Sequence, residues 1–199
     1  VANPAWSKRS IDELDDMQRD AFERRRRQLL VAAASVASRL GSALTMADVA
    51  REAEVGMSSV YRTFASKDEL LEALLAERVQ EWMGVWEVAE ARAEAGAALV
   101  DALWTFAELE HRDIGLASVL RELALRRREL INESDVVGAR VLARAQRAGA
   151  IRDDAEYEDI IRIFGMLAGI GDERGWRRAL TLYLDGLLSR PGGQGRLPG

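Results

Sequence analysis

Apolar positions recur at spacings of three and four along almost the whole chain, the period of one face of an α-helix. No segment sustains apolar–polar alternation with β-branched residues, so no strand is expected. Proline, the strongest helix breaker, is missing between Ala5 and Arg190, and Ala, Leu, Arg and Glu, all good helix formers, dominate that stretch. The pattern predicts an all-α fold. Glycines and caps divide it. The acidic run Ser10 to Phe22 has only weak apolar spacing (Ile11, Leu14, Met17) and reads either as a loosely docked helix or as a disordered arm. A first firm helix is expected from about Glu23 to Leu40, closed by Gly41. Thr45 with Asp48 makes a capping-box start for a short helix to Ala53, and Glu54–Val55–Gly56 forms a turn. A second short helix then carries Met57 to Phe64. Ser66 with Glu69 opens a long helix through Trp82 and Trp86. Further helices are expected over about 97–110, 114–132 with a break, 134–147 (closed by Gly149), 155–168 (capped by Asp153 with Glu156) and 176–188.

The most informative stretch is Thr45 to Lys67, TMADVAREAEVGMSSVYRTFASK. Two short helices joined by a three-residue turn make a helix-turn-helix, whose second helix can lie in the major groove of DNA. Ala47, Val49, Ala50 and Ala53 give the first helix a small apolar face, which lets the second cross it closely. Val55 plugs the turn, while Val60 and Phe64 anchor the second helix from below. Met57, Ser58, Ser59, Tyr61, Arg62 and Thr63 are left facing outward or sideways. Hydroxyls of Ser59, Tyr61 and Thr63 can reach phosphate oxygens, and Arg62 suits a phosphate or a guanine edge. Thr45 and Lys67 stand at helix starts, where backbone N–H groups also attract anions. A solvated surface helix would show the same outward Tyr and Arg, although an exposed aromatic among small hydroxyls gains little unless something docks there.

From Arg24 to about Leu75 the chain resembles the DNA-binding domain of the tetracycline-repressor (TetR) family of bacterial transcription regulators. The matching residues are RRRRQLLVAA (Arg24 to Ala33), Thr45, ADVAREA (Ala47 to Ala53), Val55, VYRTF (Val60 to Phe64) and SKDELLEALL (Ser66 to Leu75). The resemblance implies a three-helix DNA-binding domain followed by a C-terminal helical bundle for effector binding and dimerisation. It also implies a homodimer whose two recognition helices enter successive major grooves of a palindromic operator. Ser58, Ser59, Tyr61, Arg62 and Thr63 would then contact DNA, with Lys67 and Thr45 on phosphates. Two departures stand out: Glu54 where the family usually has Gly, and Gly56–Met57 where it often has a capping Ser and a Lys. Arg24 to Arg27 point all around their helix, so about two of them are expected on phosphate, adding salt-dependent affinity without sequence preference.

Beyond Glu77 no motif is as strong. Trp82, Trp86, Trp104, His111 and Phe164 are the candidates for an apolar effector pocket, and each alone would equally suit an ordinary core. Glu108 and His111 have the E-x-x-H spacing of di-metal bundles. Such a site needs the motif twice, and this chain has a single His, so no metal, cofactor or catalytic residue is expected. The last two helices have broad apolar faces (Ile160, Ile161, Phe164, Leu167, Ala168, then Trp176, Leu180, Tyr183, Leu184, Leu187, Leu188). Gly165 and Gly169 would permit close approach of another helix, which favours dimerisation through this pair over packing within one chain.

Composition changes little except through charge. The absence of Cys among 199 residues excludes disulfide scaffolds and thiolate metal sites and fits a reducing compartment. The longest uncharged stretch, Gln28 to Ser38, is too short to span a bilayer. No secretion signal is legible, so a cytoplasmic protein without membrane partners is expected. The net charge of −5 at first argues against nucleic acid. Divided by segment, however, residues 1–23 carry 3 basic and 6 acidic groups, 24–67 carry 8 and 3, and 68–199 carry 17 and 24. The basic excess falls on the helix-turn-helix and its leading helix, a distribution that orients the chain toward a duplex. The expected organisation is therefore an arm over 1–22, a helix-turn-helix domain over 23–68, an effector and dimerisation domain over 69–190, and a disordered tail over 191–199. The function expected is a ligand-responsive repressor, binding operator DNA, an unknown small effector and a second copy of itself. A helical-bundle carrier or enzyme, or a DNA-binding regulator without an effector, would leave a similar sequence.

Overall fold

The computed structural model describes residues 7–188 and 197; the side chains of residues 7–15 are not included. The first six residues of the expected arm, and the expected tail apart from residue 197, lie outside the described residues. Among those described, the chain is all helical: α1 Ser7–Leu40, α2 Met46–Glu52, α3 Met57–Thr63, α4 Lys67–Ala91, α5 Ala95–Arg112, α6 Ile114–Arg126, α7 Asn132–Arg147, α8 Tyr157–Leu167 and α9 Glu173–Leu187. The nearest approach to β-structure is one isolated bridge, Ile151 with Leu188. The chain divides into two compact units, residues 1–74 and 75–199.

The acidic run ahead of Glu23 is part of α1, which is one continuous helix. Neither glycine nor proline interrupts it, so nothing in the local chemistry stops the helix. Among its described side chains the first buried ones are Leu29 and Leu30. Gly41 ends it in the left-handed conformation, and Gly149 ends α7 the same way, with φ of +55° and +70°.

In the first unit, Leu29, Leu30, Ala33, Val36 and Ala37 of α1 are buried along with Val49, Ala50, Val60 and Phe64, and α1, α2 and α3 pack on one another. The expected face of α2 needs one correction. Ala47 is exposed, and Met46 is the buried residue at that end, because the helix starts one residue after Thr45 and its register turns Met46 inward. The Thr45–Asp48 capping box is formed: the Asp48 N–H donates to Thr45 Oγ1 at 3.2 Å and the Thr45 N–H donates to Asp48 Oδ2 at 3.1 Å. The Thr45 hydroxyl also donates to Asp48 at 2.6 Å and is the main reason that carboxyl is held below its ordinary pKa. Arg39 and Ser35 act likewise on Glu52, tying the end of α2 to α1.

In the second unit the core gathers Trp86, Leu99, Leu103, Phe106, Val141, Ile160, Trp176, Leu180 and Leu184. The cap of α8 differs from expectation. Helix α8 begins at Tyr157, with Glu156 as its N-cap and the Asp159 carboxylate accepting from the Glu156 N–H at 2.9 Å. Asp153 and Glu156 have a similar spacing, but the chain turns too late for them to serve.

Candidate nucleic-acid interface and effector cavity

Helix α3 is held from beneath. Val60 and Phe64 are buried, and the Arg26 guanidinium lies 5.7 Å from the centre of the Phe64 ring. Gln28 donates its side-chain amide to the Ala53 carbonyl at 2.8 Å, fastening the turn to α1. This anchoring leaves Met57, Ser58, Tyr61 and Arg62 exposed, with Tyr61 at 51%. Ser59 and Thr63 are half-buried on the flank, and the Thr63 hydroxyl donates to the Ser59 carbonyl at 3.0 Å. Lys67 donates to the Ser42 carbonyl at 2.8 Å, and its ammonium keeps two further protons to offer. The Thr45 hydroxyl proton is engaged by Asp48, so at Thr45 a phosphate would meet an occupied donor. Sequence reasoning counted Arg24 to Arg27 as a single charge run, and nothing in the sequence distinguishes Arg26, over the Phe64 ring, from its neighbours.

Glu54 adopts φ of +54°, inside the left-handed region. The turn demands this conformation, and an L side chain resists it. Replacing Glu54 by Gly is expected to stabilise the first unit by ~0.5 to 1 kcal/mol, the relief of strain being partly offset by glycine's greater freedom when unfolded. Urea unfolding followed by circular dichroism reads this out; a loss of stability would show that the Glu54 side chain makes an essential contact.

The second unit contains a partly open cavity of about 300 Å³. Trp82, Trp86 and Phe164 line it, joined by Phe106, Leu120, Ser134, Tyr157 and Ile160. Trp86 and Phe106 rings lie 4.6 Å apart, and Phe106 meets Phe164 edge-on at 6.2 Å. The buried Trp86 indole donates to Ser134 Oγ at 3.2 Å. Tyr157 packs directly over Gly138, where any Cβ would meet the ring at 2.5 Å. Burial pushes the Tyr157 hydroxyl above its ordinary pKa, and the negative charge of Asp135 adds to this. Sequence reasoning missed Ser134 and Tyr157 as pocket residues. Ser134 looked like a helix start and is instead buried within the first turn of α7; Tyr157 carries no periodic signal of its own.

Trp104 and His111 do not line this cavity. His111 stacks on Trp176 with ring centres 4.4 Å apart, and Trp104 lies 6.1 Å from the same ring. Nδ1 of His111 faces the Ala107 carbonyl at 2.9 Å and Nε2 faces the Leu167 carbonyl at 3.1 Å, so this side chain ties α5 to the end of α8. Glu108 pairs with Arg177. Among the described residues no three side chains of metal-ligating type come together, and no helix is long and apolar enough to cross a membrane.

A three-helix unit with an outward recognition helix, followed by a helical unit containing an apolar cavity, defines a helix-turn-helix transcription regulator. The family described as "Bacterial regulatory proteins, tetR family" matches residues 29–74, and the domain described as "Transcriptional regulator SbtR-like, C-terminal domain" matches residues 94–189. The chain belongs to the TetR family of transcription regulators. Among solved structures, a TetR transcriptional regulator from Streptomyces coelicolor is 26% identical, with 83% of this chain and 99% of that one covered and a TM-score of 0.59. A TetR regulatory protein from Mycobacterium vanbaalenii is 25% identical, covering 86% and 99%, with a TM-score of 0.58. The transcriptional regulator FadR from Bacillus subtilis, in complex with stearoyl-CoA, shares the fold at 21% identity, covering 80% and 98%, with a TM-score of 0.63. Curated protein sequences yield no match.

Proposed function

We propose that this regulator is a repressor that binds a palindromic operator as a homodimer and is released by a small apolar effector. The observation that carries the reading is the pairing of two features in one chain. Met57, Ser58, Tyr61 and Arg62 stand out from a firmly anchored α3, and the apolar cavity of the second unit is lined by Trp82 and Trp86. Those two tryptophans belong to α4, the same helix that starts at Lys67 beside the recognition helix. An effector that repositions them acts on the helix that follows the recognition helix in the chain. Half-sites one helical turn apart tolerate little change in the separation of two recognition helices. The effector releases DNA only if it binds the non-DNA conformation more tightly. A neighbour in fold, FadR, is solved with an acyl-CoA, which supports a small ligand in this architecture.

The dimer is assigned to α8 and α9. Most of their apolar residues face the chain's own core, yet Met166 is 66% exposed and Leu182 is 61% exposed. Met166→Glu combined with Leu182→Glu is expected to convert the dimer to a monomer at micromolar concentration without loss of helicity. Light scattering after size exclusion measures it, and an unchanged dimer would move the interface elsewhere. The repressor reading is tested by gel shift with DNA flanking the protein's own gene. A specific shift at low salt is expected, and failure to bind any fragment sinks the proposal.

A further inference from the structure

Charge pairing around the cavity separates one class of effector from the rest. Resting on the reading that this cavity takes an effector, we propose that the effector is an uncharged, largely apolar molecule of two or three rings with one hydrogen-bond acceptor, which receives the proton of the Ser134 hydroxyl.

The floor is aromatic and aliphatic: Trp82, Trp86, Phe106, Leu120, Ile160 and Phe164. Four arginines also line the cavity, and on their own they would suggest an anion. Each is already engaged. Arg121 pairs with Glu110 at 2.7 Å, Arg128 with Asp135 at 2.7 Å and Arg162 with Asp159 at 2.9 Å. Arg78 lies 3.5 Å from Glu81 and donates to the Leu109 carbonyl at 3.3 Å. Arg128 and Arg162 are at least half exposed, so water already satisfies much of their charge. Arg78 is the most buried of the four, at 7%, but the Arg121 pair has the least exposed carboxylate and decides the matter. The Glu110 side chain is only 13% exposed, and an anion that took Arg121 would leave this carboxylate unpaired in a poorly solvated place. A cation faces the mirror problem, because it would have to take Glu110 or Asp135 from an arginine. A neutral ligand disturbs none of these pairs.

Ser134 supplies the polar handle. It is 2% exposed and lines the cavity, and its oxygen accepts from the Trp86 indole. A hydroxyl that accepts still has one proton to donate. The donor that Ser134 offers suits a carbonyl or ether oxygen on the ligand. A cavity of about 300 Å³ has room for such a molecule.

Two fluorescent probes of the same skeleton test the charge rule: neutral N-phenylnaphthylamine and anionic anilinonaphthalenesulfonate, titrated into the full chain. The neutral probe is expected to bind one per chain and at least tenfold more tightly. Glu110→Gln, which frees Arg121, is expected to narrow that gap at least threefold, with circular dichroism verifying the fold. The acceptor rule is tested by displacing the neutral probe with acetylnaphthalene or ethylnaphthalene. The ketone is expected to compete several-fold better, and Ser134→Ala to erase the difference. Preference for the sulfonate, or equal competition by the two naphthalenes in the unaltered chain, overturns this inference while leaving an effector cavity in place. Binding of neither probe overturns the effector reading itself.

Discussion

Replacing Tyr61 and Arg62 together by alanine is expected to lower operator affinity by about three orders of magnitude, since the proposed dimer would lose four contacts worth ~1 kcal/mol each or more. Both side chains are exposed and neither belongs to the core of its unit. The substitutions therefore shift stability by no more than ~0.5 kcal/mol, the usual range for surface positions. Quantitative gel shifts over a salt series measure both parts of the effect. The loss of phosphate contacts also flattens the dependence of affinity on salt. Affinity within a factor of three of the unaltered protein, with the dimer intact, would remove α3 as the reading element. Substituting Arg24 and Arg25 instead is expected to weaken specific and non-specific DNA binding alike, since phosphate contacts position a protein without reading sequence.

Trp86→Ala has the largest expected effect on stability, a loss of ~3 to 5 kcal/mol, the range for emptying a large aromatic site in a core. The Trp86 side chain is 2% exposed, touches Phe106 and Tyr157 rings, and holds the Ser134 hydroxyl through its indole nitrogen. Its removal merges the space it occupied with the existing cavity, where nothing fills it. Trp86→Phe keeps an aromatic ring and loses mainly the hydrogen bond, for which ~1 to 2 kcal/mol is expected. Urea unfolding of both variants provides the comparison. Equal losses in the two would show that the hydrogen bond outweighs the packing, and a loss under ~1 kcal/mol for Trp86→Ala would contradict its place in the core.

The two halves of the molecule were unequally legible in the sequence. The helix-turn-helix was readable because its contacts are local: the capping residues Thr45 and Asp48 are three apart, and Val60 and Phe64 share one helix face. Misreadings there were small shifts of register, such as Met46 in place of Ala47. The cavity was harder. Helical spacing identified Trp82, Trp86 and Phe164 as large apolar groups, but it identified Trp104 and His111 equally well, and these two gather on Trp176 instead. Periodicity reports which face of a helix is apolar; it does not report which other helix that face meets.

Taken alone, the sequence determined the all-helical character, the helix-turn-helix and the family, together with the concentration of basic charge on the DNA-binding segment. All of these depend on residues close together in the chain, where propensity, capping and spacing act directly. Tertiary structure decided the rest. It brought Ser134 and Tyr157 to the cavity wall and bound Glu110 to Arg121. It also turned His111 onto the Leu167 carbonyl and left Met166 and Leu182 bare. Each of these depends on the packing angle and register between helices far apart in sequence. Many helix faces of similar hydrophobicity could pair in principle, and the fit of the side chains in three dimensions selects among them.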